Sequence, residues 1–514
     1  MTHKISFKES NILPQLSSDY KEKPELLAQF ISETPALENF EKQLKQKQPI
    51  NRELLHKVLK EQNTSCHINS LKNIELIKDE TTFTVTTGHQ IGLFTGPLYS
   101  IYKIISTLNL ATELKKKYSQ YNFVPIFWMA TEDHDFEEIN HVQLHDKKIT
   151  WHTKQKGPVG RFSTQDIAPF LEAVNETVSS EFAKKISAFY SNAKNLAEAH
   201  RKMVDYIFGE FGVVIIDADS RELKREMIPV FKNELFTNDT FDAVEELSRK
   251  LVEKGYKKQV NPREINLFYQ ENGLRERIIK TSNGFEVVNT NLVFSEVEIL
   301  KELTDFPEKF SPNVVMRPMY EEKILPNLAY IGGPGEIAYW LQLKDGFTAN
   351  NIDFPILVLR NSVLLVEEKT KRKINKLPFE INDYFKNEDD LINLYINEVS
   401  EISFEDEIKS IEEIFALTKE KVVVVDFSLE RTVIAELKRA QNSINKIKKK
   451  VTKAEKNNNS IAVNQIKSIK KSFFPNGSFQ ERRKNILEFY EPELIKKLIN
   501  NLIILEDSIT LMEL

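Results

Sequence analysis

Two stretches combine residue types that could do chemistry. In "TTGHQIGLFTGPLYSIYKII" (86–105), Gly88, Gly92 and Gly96 surround His89 and Gln90, in a chain of 514 residues with only 15 glycines. Glycines let backbone approach a ligand closely, and a helix start seats phosphate or carboxylate on its free N–H groups. Thr95 is a candidate N-cap, and Pro97 suits the first helical position. His89 would then donate to a phosphoryl oxygen. A plain glycine-rich turn, with His89 bonded to backbone, explains the same residues. Neither a P-loop nor a GxGxxG fingerprint is present. In "ATEDHDFEEINH" (130–141), Glu132, Asp133, His134 and Asp135 follow an apolar run containing Trp128, and Asn140 closes the motif. Carboxylates beside a histidine suit general-base work, Mg²⁺ ligation or the gripping of a substrate amine. Acidic residues that merely start a loop would look the same.

A third concentration is "SPNVVMRPMYEEKILPNLAYIGGPGEIAYW" (311–340). Gly333, Gly335 and Glu336 repeat the order of strand, glycine turn and helix. Arg317, a lone cation among apolar residues, is a candidate carboxylate or phosphate clamp or a structural ion pair. Asp217 ends another apolar run and could reach a ribose hydroxyl by analogy with other doubly wound proteins. His134, His141, His145 and His152 lie close enough in sequence to allow a metal site. With Cys66 the single cysteine, no cysteine-ligated zinc is expected and no residue is assigned to a metal.

The elements that must position these residues follow from hydrophobic pattern. "TFTVTT" (82–87) reads as a first strand, 97–117 as a helix ending in a lysine run, and "FVPIFWMA" (123–130) as a second strand. "HVQLHDKKITWH" (141–152) reads as an inserted hairpin. A helical region follows to about 209, and "GVVIID" (212–217) and "FPILVL" (354–359) are short, continuously apolar strands. Such strands separated by helices predict an α/β fold, a doubly wound parallel sheet carrying insertions. Ligands then belong at the carboxyl ends of the strands, where the candidate residues fall.

After about residue 375 the pattern changes. Val433, Leu437, Ala440, Ile444, Ile447, Val451 and Ala454 form a heptad seam. It slips through "KNNNS" and resumes at Ile466, Ile469 and Phe473, as one long helix or as a hairpin turning at 457–459. Residues 388–420 could supply an antiparallel partner. The resulting division is a core over 1–375, a helical arm over 376–480 and a segment 481–514 returning to the core. Net charge is only −5, with 41% apolar and 29% charged residues, which gives no electrostatic case for nucleic acid or an anionic membrane. The first residues lack the apolar core of a signal peptide, and no apolar run reaches the roughly 18 residues of a membrane span. A soluble, cytoplasmic protein is expected.

The long motifs carry a resemblance. "TTGHQIGLFTGPLYSIYKIIS", "FVPIFWMATEDHDFEEINH", "GPVGRF", "VNPREINLFYQENGLR", the 311–340 stretch and "FFPNGSFQER" resemble, in order, the cysteine ligases of bacillithiol biosynthesis. The resemblance implies a Rossmann-like core with connecting insertions, an α-helical coiled-coil domain and a homodimer. It also implies the last step of the pathway, in which the carboxylate of cysteine is joined to the amine of glucosaminyl-malate. ATP or another nucleotide with Mg²⁺ would activate the carboxylate. A non-catalytic, nucleotide-binding coiled-coil scaffold for such a pathway is the alternative. These ligases are distantly similar to class I aminoacyl-tRNA synthetases. Of the His-x-Gly-His signature, His89-Gln90-Ile91-Gly92 keeps the first histidine and the glycine, while Leu93 replaces the second histidine.

Overall fold

The computed structural model describes residues 2–400 and 402–514. Five parallel strands form the central sheet: β1 (Thr82–His89), β2 (Asn122–Met129), β3 (Val214–Asp217), β4 (Asn327–Gly332) and β5 (Ile356–Leu359). Their spatial order is β5-β4-β1-β2-β3, the doubly wound order in which the chain reverses direction between β1 and β4. The strands are almost wholly buried because helices cover both faces, which explains their continuously apolar sequences. Part of the core is built from Phe83, Val85, Leu110, Leu114, Ile331 and Val358. The helix α1 (Leu98–Lys117) crosses from β1 to β2 and ends on Lys115, Lys116 and Lys117, where cations oppose the carbonyl end of the helix dipole.

Two insertions interrupt this frame. The expected hairpin is present, with His141–Leu144 paired to Lys147–Thr150. Between β3 and β4 lies a five-stranded sheet that the sequence pattern did not disclose, antiparallel in each of its strand pairs: Leu267–Glu271, Leu274–Thr281, Gly284–Val287, Val293–Phe294 and Phe310–Pro312. It is followed by α2 (Arg317–Ile324), β4 and α3 (Pro334–Trp340). The terminal segments meet in a separate sheet, with Thr2 opposite Met512 and Ser6 opposite Ser508.

The chain divides into two compact units, one of residues 1–365 with 479–512, the other of residues 366–478 with 513–514. In the second unit, α4 (Glu405–Val423) and α5 (Leu429–Asn458) form an antiparallel pair, joined by Gln441 to Glu412 at 2.8 Å and Lys419 to Glu430 at 2.6 Å. The heptad seam lies on α5. Asn459 interrupts the helix before α6 (Ser460–Phe473), so the long helix takes its partner from 405–423 rather than folding back at 457–459. No residue of α4 or α5 is fully buried, and Ile447 is 48% exposed, as a two-helix seam without a third layer requires. By contrast, Val463, Ile466, Ile469 and Phe473 of α6 are buried.

Candidate active site

A cavity of about 690 Å³ lies in the first unit, at the carboxyl ends of β1 and β4, where a doubly wound sheet opens a crevice. β1 supplies Gly88 and His89, and Gln90 follows it; the segment after β2 supplies Asp133 and His134. Tyr330 of β4, with Gly333, Gly335 and Glu336 of the next junction, forms the other wall. The inserted sheet contributes Arg275 and Arg277, and α2 contributes Arg317 and Glu321.

A partly buried ion pair ties α1 to the junction after β4 beside the crevice. Lys103 of α1 is 0% exposed; its ammonium donates to Gly88 O and to Glu336 Oε1 at 2.7 Å. Tyr330 Oη donates to the same carboxylate oxygen at 2.7 Å, and Gly333 N–H donates to Glu336 Oε2 at 2.9 Å. Burial opposes ionisation of Glu336, yet Lys103 and the Gly333 N–H outweigh it and hold the carboxyl below its usual range. His89 packs edge-on against Tyr99, with ring centroids 5.2 Å apart. Burial, reinforced by Lys103, pushes its pKa down to about 3. The imidazole is therefore neutral, and offers one N–H and one lone pair rather than a cation.

The opposite wall is cationic. Arg275 stacks over Phe268 with its guanidinium 4.0 Å from the ring centroid, and it donates to Ser311, Pro312 O and His134 Nδ1, the last at 2.7 Å. A guanidinium can only donate, so Nδ1 of His134 carries the lone pair and Nε2 the proton. Burial and Arg275 both lower the pKa of His134. With Nδ1 engaged by Arg275, the ring atom left free is Nε2, a neutral donor. Asp133 lies 3.6 Å from Arg317 and accepts from Gln90 and the backbone N–H of His134. Burial alone would raise its pKa, but Arg317 and Arg275 prevail and keep it ionised far below the usual carboxylate range.

Other expected residues lie elsewhere. Glu132 is buried beneath the site, bonded to the Lys224 ammonium and to Gln270 at 2.9 Å, so it braces the insertion against the core. Asp217 accepts from Thr131 Oγ1 and from Asp219 N–H at 3.0 Å, and it shapes the loop after β3 instead of meeting the cavity. Asp135 is exposed outside the cavity; Asn140 turns to the hairpin, its carbonyl accepting Trp151 N–H at 2.7 Å. Gly92, Thr95 and Gly96 form an internal turn. A Cβ on Gly92 would lie 3.2 Å from Gly96 Cα, so these glycines admit each other rather than a ligand. Thr95 caps nothing, since its φ is 72° and its hydroxyl bonds Gly96 O; Pro97 occupies the N-cap position instead. The start of α1 is also occupied: Leu98 N–H donates to Lys484 O at 2.8 Å. The histidines of 134–152 are dispersed, with His145 directed to Glu488. No group of three or more His, Cys, Asp or Glu among the described residues is arranged to hold a metal.

Residues 1–361 match the family of bacillithiol biosynthesis BshC, N-terminal Rossmann-like domain, and residues 363–514 match its C-terminal coiled-coil domain. The chain belongs to this family. A relative from Flavobacterium johnsoniae, named "Putative cysteine ligase BshC", is 44% identical over 95% of this chain and 94% of its own length. Relatives with the same name from Flavobacterium psychrophilum and Christiangramia forsetii are 43% and 39% identical, covering 97% and 99% of this chain and 96% and 98% of their own. The site of this family member includes residues that spacing did not single out. Arg275 and Arg277 were hidden because their common strand, Leu274–Thr281, was not recognised. Arg360, which also lines the cavity, stands alone among apolar residues much as Arg317 does, whereas Arg482, another lining residue, is masked by its neighbours Arg483 and Lys484. Arg360 Nη2 donates to buried Glu481 at 2.6 Å, which brings the 479–512 segment to the cavity rim.

Proposed function

We propose that this chain is a ligase that joins the carboxylate of cysteine to the amine of glucosaminyl-malate, with a nucleotide activating the carboxylate. The observation that carries the reading is that one cavity brings together arginines, Arg275, Arg277 and Arg317 with Arg360 and Arg482, and carboxylates and aromatic rings, among them Glu336, Glu321, Tyr330 and Trp340. The arginines suit the malate carboxylates and the phosphates of a nucleotide. The carboxylates suit an amine. Amide formation needs a better leaving group than hydroxide, and an acyl-adenylate or acyl-phosphate supplies it. The N–H groups of neutral His89 and His134 would stabilise oxyanion and phosphoryl charge as it develops. Asp133, fixed as an anion, orients Gln90 and Arg317 rather than shuttling a proton. Magnesium would enter on the phosphates of the nucleotide. The family resemblance also supports a homodimer, which sedimentation equilibrium of the full chain tests.

The decisive assay incubates purified protein with cysteine, glucosaminyl-malate, ATP and Mg²⁺ and follows the thiol product by mass spectrometry. Product formation that is lost in His89→Ala supports the ligase. Absence of product with every nucleoside triphosphate, from a folded protein that still binds nucleotide, sinks it in favour of a nucleotide-binding scaffold.

A further inference from the structure

Four carboxylates line the cavity, and three are engaged. Asp133 is held by Arg317 and Gln90, Glu138 accepts from Gln90 at 2.8 Å, and Glu336 is saturated by Lys103, Tyr330 and the Gly333 N–H. Glu321 differs. It is 3% exposed, and its Oε1 has no hydrogen-bond partner among the described residues. A buried polar atom of this kind is rare, and on a residue that lines a cavity it marks a place that a ligand atom could complete.

We propose that Glu321 makes its end of the cavity a docking site for a primary ammonium group. The inference rests on the ligase reading for its biological ligand, whose amine belongs either to cysteine or to the amino sugar. The surroundings select a cation over a hydroxyl. Charged groups face Glu321 from three helices: Glu322 on its own helix, Lys103 of α1 and Glu336 of α3, with Tyr330 and Tyr339 also within electrostatic reach. Lys103 is committed to Glu336 and Gly88, so Glu321 gains no partner from it. Burial, reinforced by Glu322, keeps the empty carboxyl protonated well above its usual range. An arriving ammonium would ionise it, forming a charge-assisted hydrogen bond next to the Lys103–Glu336 pair and releasing the carboxyl proton to solvent. The aromatic faces at this end, with Tyr330 stacked on Trp340 at 4.2 Å, add to the attraction for a cation.

Calorimetry of the full chain in phosphate and in Tris, which differ in ionisation enthalpy, reads that proton directly. L-Cysteine and glucosaminyl-malate are titrated separately, each beside its amine-free analogue, 3-mercaptopropionate and glucosyl-malate. The amine that occupies the site is expected to bind with release of about one proton. It should bind at least about tenfold more tightly than its analogue, the scale of one hydrogen bond to a charged group. Glu321→Gln, close in shape, should abolish both the release and the discrimination. Equal binding of amine and analogue in the wild type, unchanged proton release in the variant, or binding of neither amine would overturn the proposal. Intact amine binding without ligation counts instead against the ligase reading alone.

Discussion

Two junctions of strand, glycine and helix flank the same crevice, yet they are built on different principles. Between β1 and α1 the chain uses residues 90–97, with Phe94, Thr95 and Gly96 all at positive φ. That turn is sealed from outside: Asn485 Nδ2 donates to Phe94 O and Gly96 O at 2.8 and 2.7 Å, and Tyr190 accepts the Phe94 N–H at 3.1 Å. Between β4 and α3 only Gly333 intervenes, and the helix begins on Pro334 with Glu336 folded back onto the Gly333 N–H. The glycine-rich junction is thus a closed structural corner that presents only its first residues to the cavity, while the short one is open to it. Glycine density marks where backbone must bend or approach something, and that something is as often the protein itself as a ligand.

The largest expected effect comes from the group that joins the two junctions. Lys103→Met leaves Glu336 as a partly buried anion without its countercharge, which should cost about 3–5 kcal/mol. Urea denaturation measures this. A loss below about 1 kcal/mol would show that the junctions do not depend on the pair.

A pH titration separates the junctions more finely. The folded pKa of His89 is pushed down to about 3, whereas an unfolded histidine titrates near about 6.5. Below that pH the unfolded chain takes a proton that the folded site refuses. The contribution is therefore complete above about 6.5 and is lost as pH falls towards about 3, by up to about 1.4 kcal/mol per pH unit. Glu336, held low at the other junction, acts in the same direction only below about 4.3. Urea midpoints at several pH values between those limits should fall less steeply for His89→Gln than for wild type. Some slope should remain, because burial and His89 also push the pKa of His200 down to about 3. Identical slopes would mean that His89 is not desolvated.

The contrast explains what the sequence could reveal. The core strands and α1 were legible because burial on both faces writes continuous apolar runs, and the seam on α5 because it repeats every seven residues. The inserted sheet was not: "LRERIIKT" buries Arg275 and Ile278 on a half-polar strand, which has no clean period. Gly88, His89, Gln90, Asp133, His134, Gly333, Gly335 and Glu336, singled out near strand ends, line the cavity, as does Arg317, singled out as a lone cation among apolar residues. Glu132 and Asp217 share that position, but Glu132 finds Lys224 and Asp217 finds Thr131, partners distant in sequence. Nothing local distinguishes a carboxylate that meets substrate from one that meets a lysine.

The seal itself can be broken. Asn485 is 2% exposed, and Asn485→Ala would take the amide donor from Phe94 O and leave Gly96 O only the Thr95 hydroxyl at 3.4 Å, for a loss of about 1–3 kcal/mol. Because the first junction is structural, KM in the proposed ligase assay should stay within about twofold while stability falls. A large rise in KM with unchanged stability would make that corner part of the ligand site.

The smallest effects give the cleanest comparison, since one substitution can be made at both junctions. Gly96 has φ 68° and ψ −152°, a region that residues with a Cβ essentially avoid. Gly96→Ala should therefore cost about 1–2 kcal/mol through the backbone alone, even though the nearest atom to the new methyl would be Gly92 Cα at 3.9 Å. Gly335 lies in the first turn of α3 with no atom of the described residues within 4 Å of an added Cβ. There Gly335→Ala should change stability by no more than about 0.5 kcal/mol, with a gain favoured because alanine is the better helix former. Its methyl, however, is added at a residue that lines the cavity. Thermal unfolding and steady-state kinetics on the two variants should thus dissociate: the first loses stability and keeps its KM, the second keeps its stability and raises KM. If both variants lose stability and keep KM, the open junction is structural too, and the substrates sit nearer the arginine wall.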